Sequence, residues 1–417
     1  MALRYLLLLT LLFPLGVRCA DTIPGVFDEY IKSVRIHAEG DDFGAPIIVL
    51  GTDDRITIEF DQLAEDRSYF RYSLTHCNAN WQPSGLIDSE FLDGFNEGTI
   101  EDYDFSRATK IHYVHYSLTI PNEQVSPTIS GNYLLKIYDE TDPEQTLLQC
   151  RFMVSESKAK IAAVASSQTD IDYNDAHQQV GVIVDVEGAQ VEDPFNDVIV
   201  MVSQNGRLDS ETSARQPLRV SGTQLYFEHR PQFIFEAGNE YRRFEVISDY
   251  YPGMNVADIQ YFEPYYHYNI RTDEPRTNEP YIYDQTQRGR FFIREYNSDE
   301  SDVEADYGVV HLTLESEEIP GAMIFVDGDF VNRRFDDNSR MIYNHARGAY
   351  ERSFLLKQGA YNYQYLTVPP GGRRGYTAQI EGDRYQTINE YLIKVYHRRR
   401  GDRYDRLLGT ATITTDI

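Results

Sequence analysis

Short runs that alternate polar and apolar residues follow one another along nearly the whole chain, and no stretch keeps a helical period long enough to form an amphipathic helix. A period of two places every second side chain on one face, so each run reads as a strand with one buried side. Residues 55–60 put Ile56, Ile58 and Phe60 on one face, and residues 68–77 do the same with Phe70, Tyr72 and Leu74. Residues 111–120, 132–138 and 147–154 follow, bounded by turn residues such as Asn78, Pro83, Pro121 and Gly131. The 32 Tyr and 21 Phe favour half-buried strands as well. About seven short strands in roughly 130 residues predict an antiparallel sandwich of immunoglobulin-like type. The 417 residues have room for about three such units. The expected fold is therefore all-β, with three consecutive β-sandwich domains of immunoglobulin-like or early-set type. The expected boundaries are 21–156, a middle β-rich domain at 157–297, an acidic linker at 298–306 with little to bury, and 307–417.

Residues 1–20 do not fit this pattern. Arg4 precedes an apolar run from Tyr5 to Leu12, and small residues surround Cys19 and Ala20. This reads as a secretory signal peptide, cleaved after Cys19 or Ala20. An exported chain permits a disulfide between Cys77 and Cys150; the alternative is two separately buried thiols. The formal charge of −27 disfavours nucleic acid and anionic membrane surfaces, and suits basic partners. No later stretch reaches the roughly 18 apolar residues of a membrane-spanning helix.

Conventional catalytic motifs are missing: there is no nucleophile elbow, phosphate loop, paired metal-binding histidines on a helix, or paired cysteines. His112 and His115, three apart on a strand, fall on opposite faces, as do His76 and Cys77. Asp170, Asp172 and Asn174 resemble the opening of a calcium loop. Asp175 stands where that loop needs glycine, and Gly181 where it needs a bidentate Glu. A solvated loop is the better reading. No catalytic residue, cofactor or metal site is expected.

Residues 78–106 stand apart as a long segment without strand alternation that carries the chain's one Trp. Long loops in compact domains are often functional. Aromatic rings among acidic residues suit a docking surface. Phe91, Phe95, Glu101, Asp102, Tyr103, Asp104 and Phe105 are the candidate partner-binding residues. Trp81 is expected to fold back and cap its own sandwich.

The same segment carries a family resemblance. His76, Cys77, Asn78, Trp81 and Pro83, then residues 89–95, then residues 100–106, resemble the plug protein family of the type IX secretion system of Bacteroidota. Residues 121–123, 130–139 and 151–154 continue the match in order, and residues 395–398 and 401–409 resemble the same family near the end. The resemblance implies a non-enzymatic periplasmic protein, peripherally associated with the outer membrane. Its implied partner is the giant outer-membrane β-barrel translocon, whose periplasmic mouth it would occlude while no substrate passes.

A second likeness, to early-set domains of the glycogen-binding kind, lies in residues 325–365 and predicts a tight hairpin at Gly359. It supports a second reading, an exported carbohydrate-binding or adhesin-like protein, for which the exposure of Tyr350, Tyr363 and Tyr365 is the discriminating observation.

Overall fold

The computed structural model describes residues 22–415; the expected signal peptide at 1–20 lies outside the described residues. The fold is all-β, built as three sandwiches, each around its own apolar core.

In the first sandwich, Gly25–Val26, Leu148–Ser155, Gly131–Asp139, Phe70–Cys77 and Gly98–Thr99 form one sheet in that spatial order. Ile31–Ala38, Ile56–Gln62, Val114–Ile120 and Asp102–Phe105 form the other. The alternation read in the sequence is the reason. Ile56, Ile58 and Phe60 meet Phe70, Tyr72 and Leu74 across the interior. The Tyr116 ring packs between Phe60 at 5.2 Å and Phe70 at 4.8 Å, and each buried ring contributes roughly 1.5–3 kcal/mol. One pairing departs from the antiparallel expectation: Ile47–Val49 runs parallel to Leu148–Ser155.

Strand pairing cuts across the expected consecutive boundaries of the other two units. Val198–Gln204 pairs with Glu390–His397, which pairs with Arg406–Thr414. The second sandwich thus takes one sheet from Lys160–Ser166, His177–Asp185 and their neighbours, and completes the other with the chain's last two strands. Val180, Val182 and Val184 pack there against Val198, Val200, Val202, Ile393 and Val395. The third sandwich is inserted between Ile234–Glu236 and Glu390–His397. Periodicity identifies strands but carries no information on which strands pair, so a discontinuous unit reads as two consecutive ones. Where the chain re-enters, buried Asn389 donates to Gln178 Oε1 at 2.8 Å and to the Ala237 carbonyl at 2.7 Å.

Two other expectations are corrected. No hairpin forms at Gly359: Ala349–Lys357 pairs with Tyr307–Glu315, whereas Gly359–Val368 belongs to the facing sheet with Arg242–Val246. The chain turns a corner there, and a Cβ on Gly359 would stand 2.3 Å from the Phe292 carbonyl oxygen. The acidic run 298–306 is not a linker. It holds the short helix Ser301–Glu304, and Val303, Ala305 and Asp306 are buried.

Cys77 and Cys150 are both buried free thiols. They lie on the two strands flanking Gly131–Asp139, opposite Asn132 and Leu135 respectively. That offset of three puts them on opposite faces of the sheet, Cys150 in the sandwich core and Cys77 in a separate cluster outside it. A disulfide is therefore geometrically excluded. Burial pushes both thiols up to about 12, so neither is a ready nucleophile. We expect a chain starting at residue 22 to titrate two thiols once unfolded without reductant, and its melting temperature to be indifferent to dithiothreitol.

Candidate functional site

The segment 78–106 is not an unstructured loop. It contains the helical turn Asp88–Phe91 and three short strands, Leu92–Gly94, Gly98–Thr99 and Asp102–Phe105. The candidate partner-binding residues divide accordingly. Phe91 is buried in the first core and is unavailable to a partner. Tyr103 is half-buried, its ring covered by the Arg67 guanidinium at 4.1 Å. Glu101, Asp102, Asp104 and Phe105 are exposed along the terminal strand of the four-stranded sheet. Phe95 is 88% exposed at the tip of a different turn. The neighbouring Asn96 fixes that turn, accepting from the Leu74 amide at 2.7 Å and donating to its carbonyl at 2.8 Å. Phe95 is thus an outward ring on a fixed backbone, which limits the ordering entropy that docking would cost.

Trp81 has a different role from the expected one. Its backbone is left-handed, with φ 62°. Its ring joins Cys77, Ala79, Leu134 and Met153 of the first sandwich to Ile199, Met201, Tyr396 and Leu407 of the second. The Arg151 guanidinium lies 4.3 Å over the ring. Polar contacts complete this seam. Asn132 donates to the Asn78 carbonyl and accepts from the Tyr396 hydroxyl at 2.7 Å. Asp405 accepts from the Ala79 amide at 2.9 Å. Arg406 makes two hydrogen bonds to Glu156, 2.8 and 2.6 Å. Burial acts upward on that carboxyl, but Arg406, Lys158 and Ser130 together hold it down at about 2. The motif residues around 76–83 and 395–409 therefore meet each other.

A second seam joins the first sandwich to the third. The outward face of the four-stranded sheet presents Ser33, Arg35, Glu59, Asp61 and His115, none of which looks unusual in the sequence. Asp61 and Lys357 are almost wholly enclosed and touch at 2.5 Å. Asp61 also accepts from the Tyr307 hydroxyl at 2.6 Å and pairs with His115 Nδ1 at 2.7 Å. The Lys357 ammonium also donates to the Asp302 carbonyl at 2.6 Å and sits 4.1 Å over the Tyr113 ring. Arg35 bridges Glu59 and Asp302 at 2.8 and 2.5 Å. The main chain of the acidic run is held too, since Tyr113 Oη donates to the Ala305 carbonyl and Asp306 accepts from the Lys110 amide.

Burial acts upward on Asp61, yet Lys357 and His115 hold it below the ordinary carboxylate value. Burial acts downward on His115, but hydrogen bonds to Asp61 and Glu59 lift it to about 9. Glu59, His115 and Asp302 stand close enough to share a metal ion, but the Arg35 guanidinium already bridges the two carboxylates. Each of these charges touches an opposite one, which suits a strut.

The remaining candidates resolve into local structure. Asp170 pairs with His229, and Asp172 with His177 and Thr169, inside the loop between two strands. His112 meets exposed Glu65 while His115 faces Asp61, so the two histidines point to different partners. Tyr350, Tyr363 and Tyr365 are 5%, 1% and 0% exposed, and the last two donate to Asp273. They form no sugar platform.

A family profile described as the first domain of the type 9 secretion system plug protein matches residues 31–156. The crystal structure of a hypothetical protein from Parabacteroides merdae is similar along nearly the whole length, with a TM-score of 0.93 and 40% identity over 94% of this chain and 99% of that one. An alkylpurine DNA glycosylase from Pseudomonas fluorescens, bound to DNA with an abasic-site analogue, aligns over 30% of each chain at 8% identity and a TM-score of 0.15, which bears on neither fold nor function. None of the curated proteins matches.

Proposed function

We infer the function from the premise that this chain belongs to the type IX secretion system plug protein family. The role we propose is a non-enzymatic stopper in the periplasm, seated against the periplasmic mouth of the outer-membrane translocon when no substrate is passing. One observation supports it above the others. The third sandwich is inserted into the second, and two seams centred on buried side chains join the first sandwich to both. A stopper must resist deformation by whatever presses on it, and such seams give that resistance. A chain of this length folds to a radius of gyration of about 22 Å. No helix among the described residues is long and apolar enough to cross a membrane. Seating would therefore rest on protein–protein contact at the translocon rim.

The deciding experiment compares deletion strains with and without the translocon. Loss of this protein makes the outer membrane permeable to a glycopeptide antibiotic only where the translocon is present. Leakage that ignores the translocon overturns the reading. Phe95 and the acidic strand Asp102–Phe105 are the first surface to test. Phe95→Ala leaves stability within about 0.5 kcal/mol, as expected for an exposed ring. It weakens copurification with the translocon by about 2 kcal/mol or more if this ring is an anchor. Unchanged recovery of the barrel assigns the docking surface elsewhere.

A further inference from the structure

The strand Val256–Phe262 ends the five-stranded sheet of the third sandwich. It pairs with Tyr265–Ile270 on one side, and no strand among the described residues pairs with the other. Terminal strands expose unpaired amides and carbonyls, and proteins guard them with charge, proline, bulges or short length. Asp102–Phe105 is four residues long with two Asp, and Lys160–Ser166 opens on a lysine. Val256–Phe262 has a bulge between Val256 and Asp258, and beyond Asp258 it carries no charge as far as Phe262. Tyr261 and Phe262 are 49% and 58% exposed there. Tyr250, 75% exposed, adds its ring beside Tyr266 at 6.3 Å, and Tyr261 stands 4.9 Å from Tyr266.

Charge selects the occupant. Residues 244–270 contain no Lys or Arg, but they do contain Glu245, Asp249, Asp258 and Glu263. The one cation the fold brings to these rings is Lys110 of the first sandwich, 4.5 Å over Tyr266. A basic group is therefore already accepted on this aromatic face. We propose that the outer edge of Val256–Phe262 binds an extended basic segment of another polypeptide, which adds a strand to the sheet. Its amides and carbonyls would complete the ladder, and its Lys or Arg side chains would meet Asp258, Glu263 and the tyrosine rings. This inference concerns a different sandwich from Phe95 and does not rest on the stopper reading.

The probe is a short peptide of alternating Lys and Val, titrated onto the full chain without its signal peptide and followed by fluorescence anisotropy and amide exchange. It binds with slowed exchange confined to residues 257–262. An alternating Glu and Val peptide, and a Lys and Val peptide with alternate amides methylated, each bind at least about tenfold more weakly. Asp258→Lys, an exposed change that leaves the melting temperature unaltered, weakens the first peptide by about tenfold. Equal binding of the three peptides overturns the proposal. So does protection appearing at Asp102–Phe105 or Lys160–Ser166, or a dimer of this chain paired through this edge.

Discussion

Replacing Lys357 by Met lowers stability by about 3–5 kcal/mol, because it leaves the Asp61 carboxylate enclosed without its cation. Asp61 is 1% exposed, and the Tyr307 hydroxyl and His115 then remain its hydrogen-bonding partners among the described residues. The loss is local at first. Amide exchange accelerates in Ser301–Glu304 and the flanking residues, which Lys357 and Arg35 hold in place, while the valine core of the second sandwich stays protected. Adding Asp61→Asn to Lys357→Met recovers part of the loss, since the buried charge is then gone while an acceptor for Tyr307 is kept. A double variant as weak as the sum of the two single ones would mean that the pair is not coupled.

The same seam sets a pH profile. His115 is raised from an ordinary 6.5 to about 9, so the stability it contributes is complete below pH 6.5 and is lost as pH rises through about 9. Glu59 and Asp61 are depressed from 4.5 and 3.8, so their contribution is complete above about pH 4.5 and is lost on acidification. Stability is greatest between these limits. The alkaline fall amounts to about 3 kcal/mol at most, and it vanishes in His115→Gln. An alkaline limb that persists in that variant assigns it to another group.

Trp81→Ala has the second large effect, about 3–5 kcal/mol, as for a large ring removed from a closed interior. The ring is 7% exposed and is gripped from both sides, by Leu134 and Met153 on one sheet and by Ile199, Met201 and Leu407 on another. Its removal also takes away the ring on which the Arg151 guanidinium stacks. The expected readout is a split unfolding curve, in which the first sandwich separates from the others before either core melts. A single cooperative transition shifted by less than about 1 kcal/mol would show that the seam carries little of the stability.

What the sequence discloses and what it hides follow from the same physics. A core-facing residue announces itself through period two, so Ile56, Ile58, Phe60, Phe70, Tyr72 and Leu74 were readable, and with them the all-β class. The outward positions of those strands, Glu59, Asp61 and His115, look like any solvated face, and nothing local distinguishes a face covered by another sandwich. For that reason the charge network was invisible and the acidic run 298–306 looked like a linker. Trp81 was legible as buried but not as shared, because partners more than one hundred residues away leave no local trace. Gly359 was legible as a special backbone position, yet the corner it permits and a hairpin demand the same residue. In the segment 78–106, composition pointed to aromatic surface, and burial then separated Phe91 from Phe95.

The inserted arrangement also governs how this chain is finished. The central sandwich receives its last two strands, Glu390–His397 and Arg406–Thr414, only after the entire third unit has been made. A molecule truncated before Glu390 presents Val198–Gln204 with a vacant neighbour and the valine interior open to water, which is bait for proteases and chaperones. Closure of the central interior thus waits on Glu390–His397 and Arg406–Thr414, the strands made after the inserted unit.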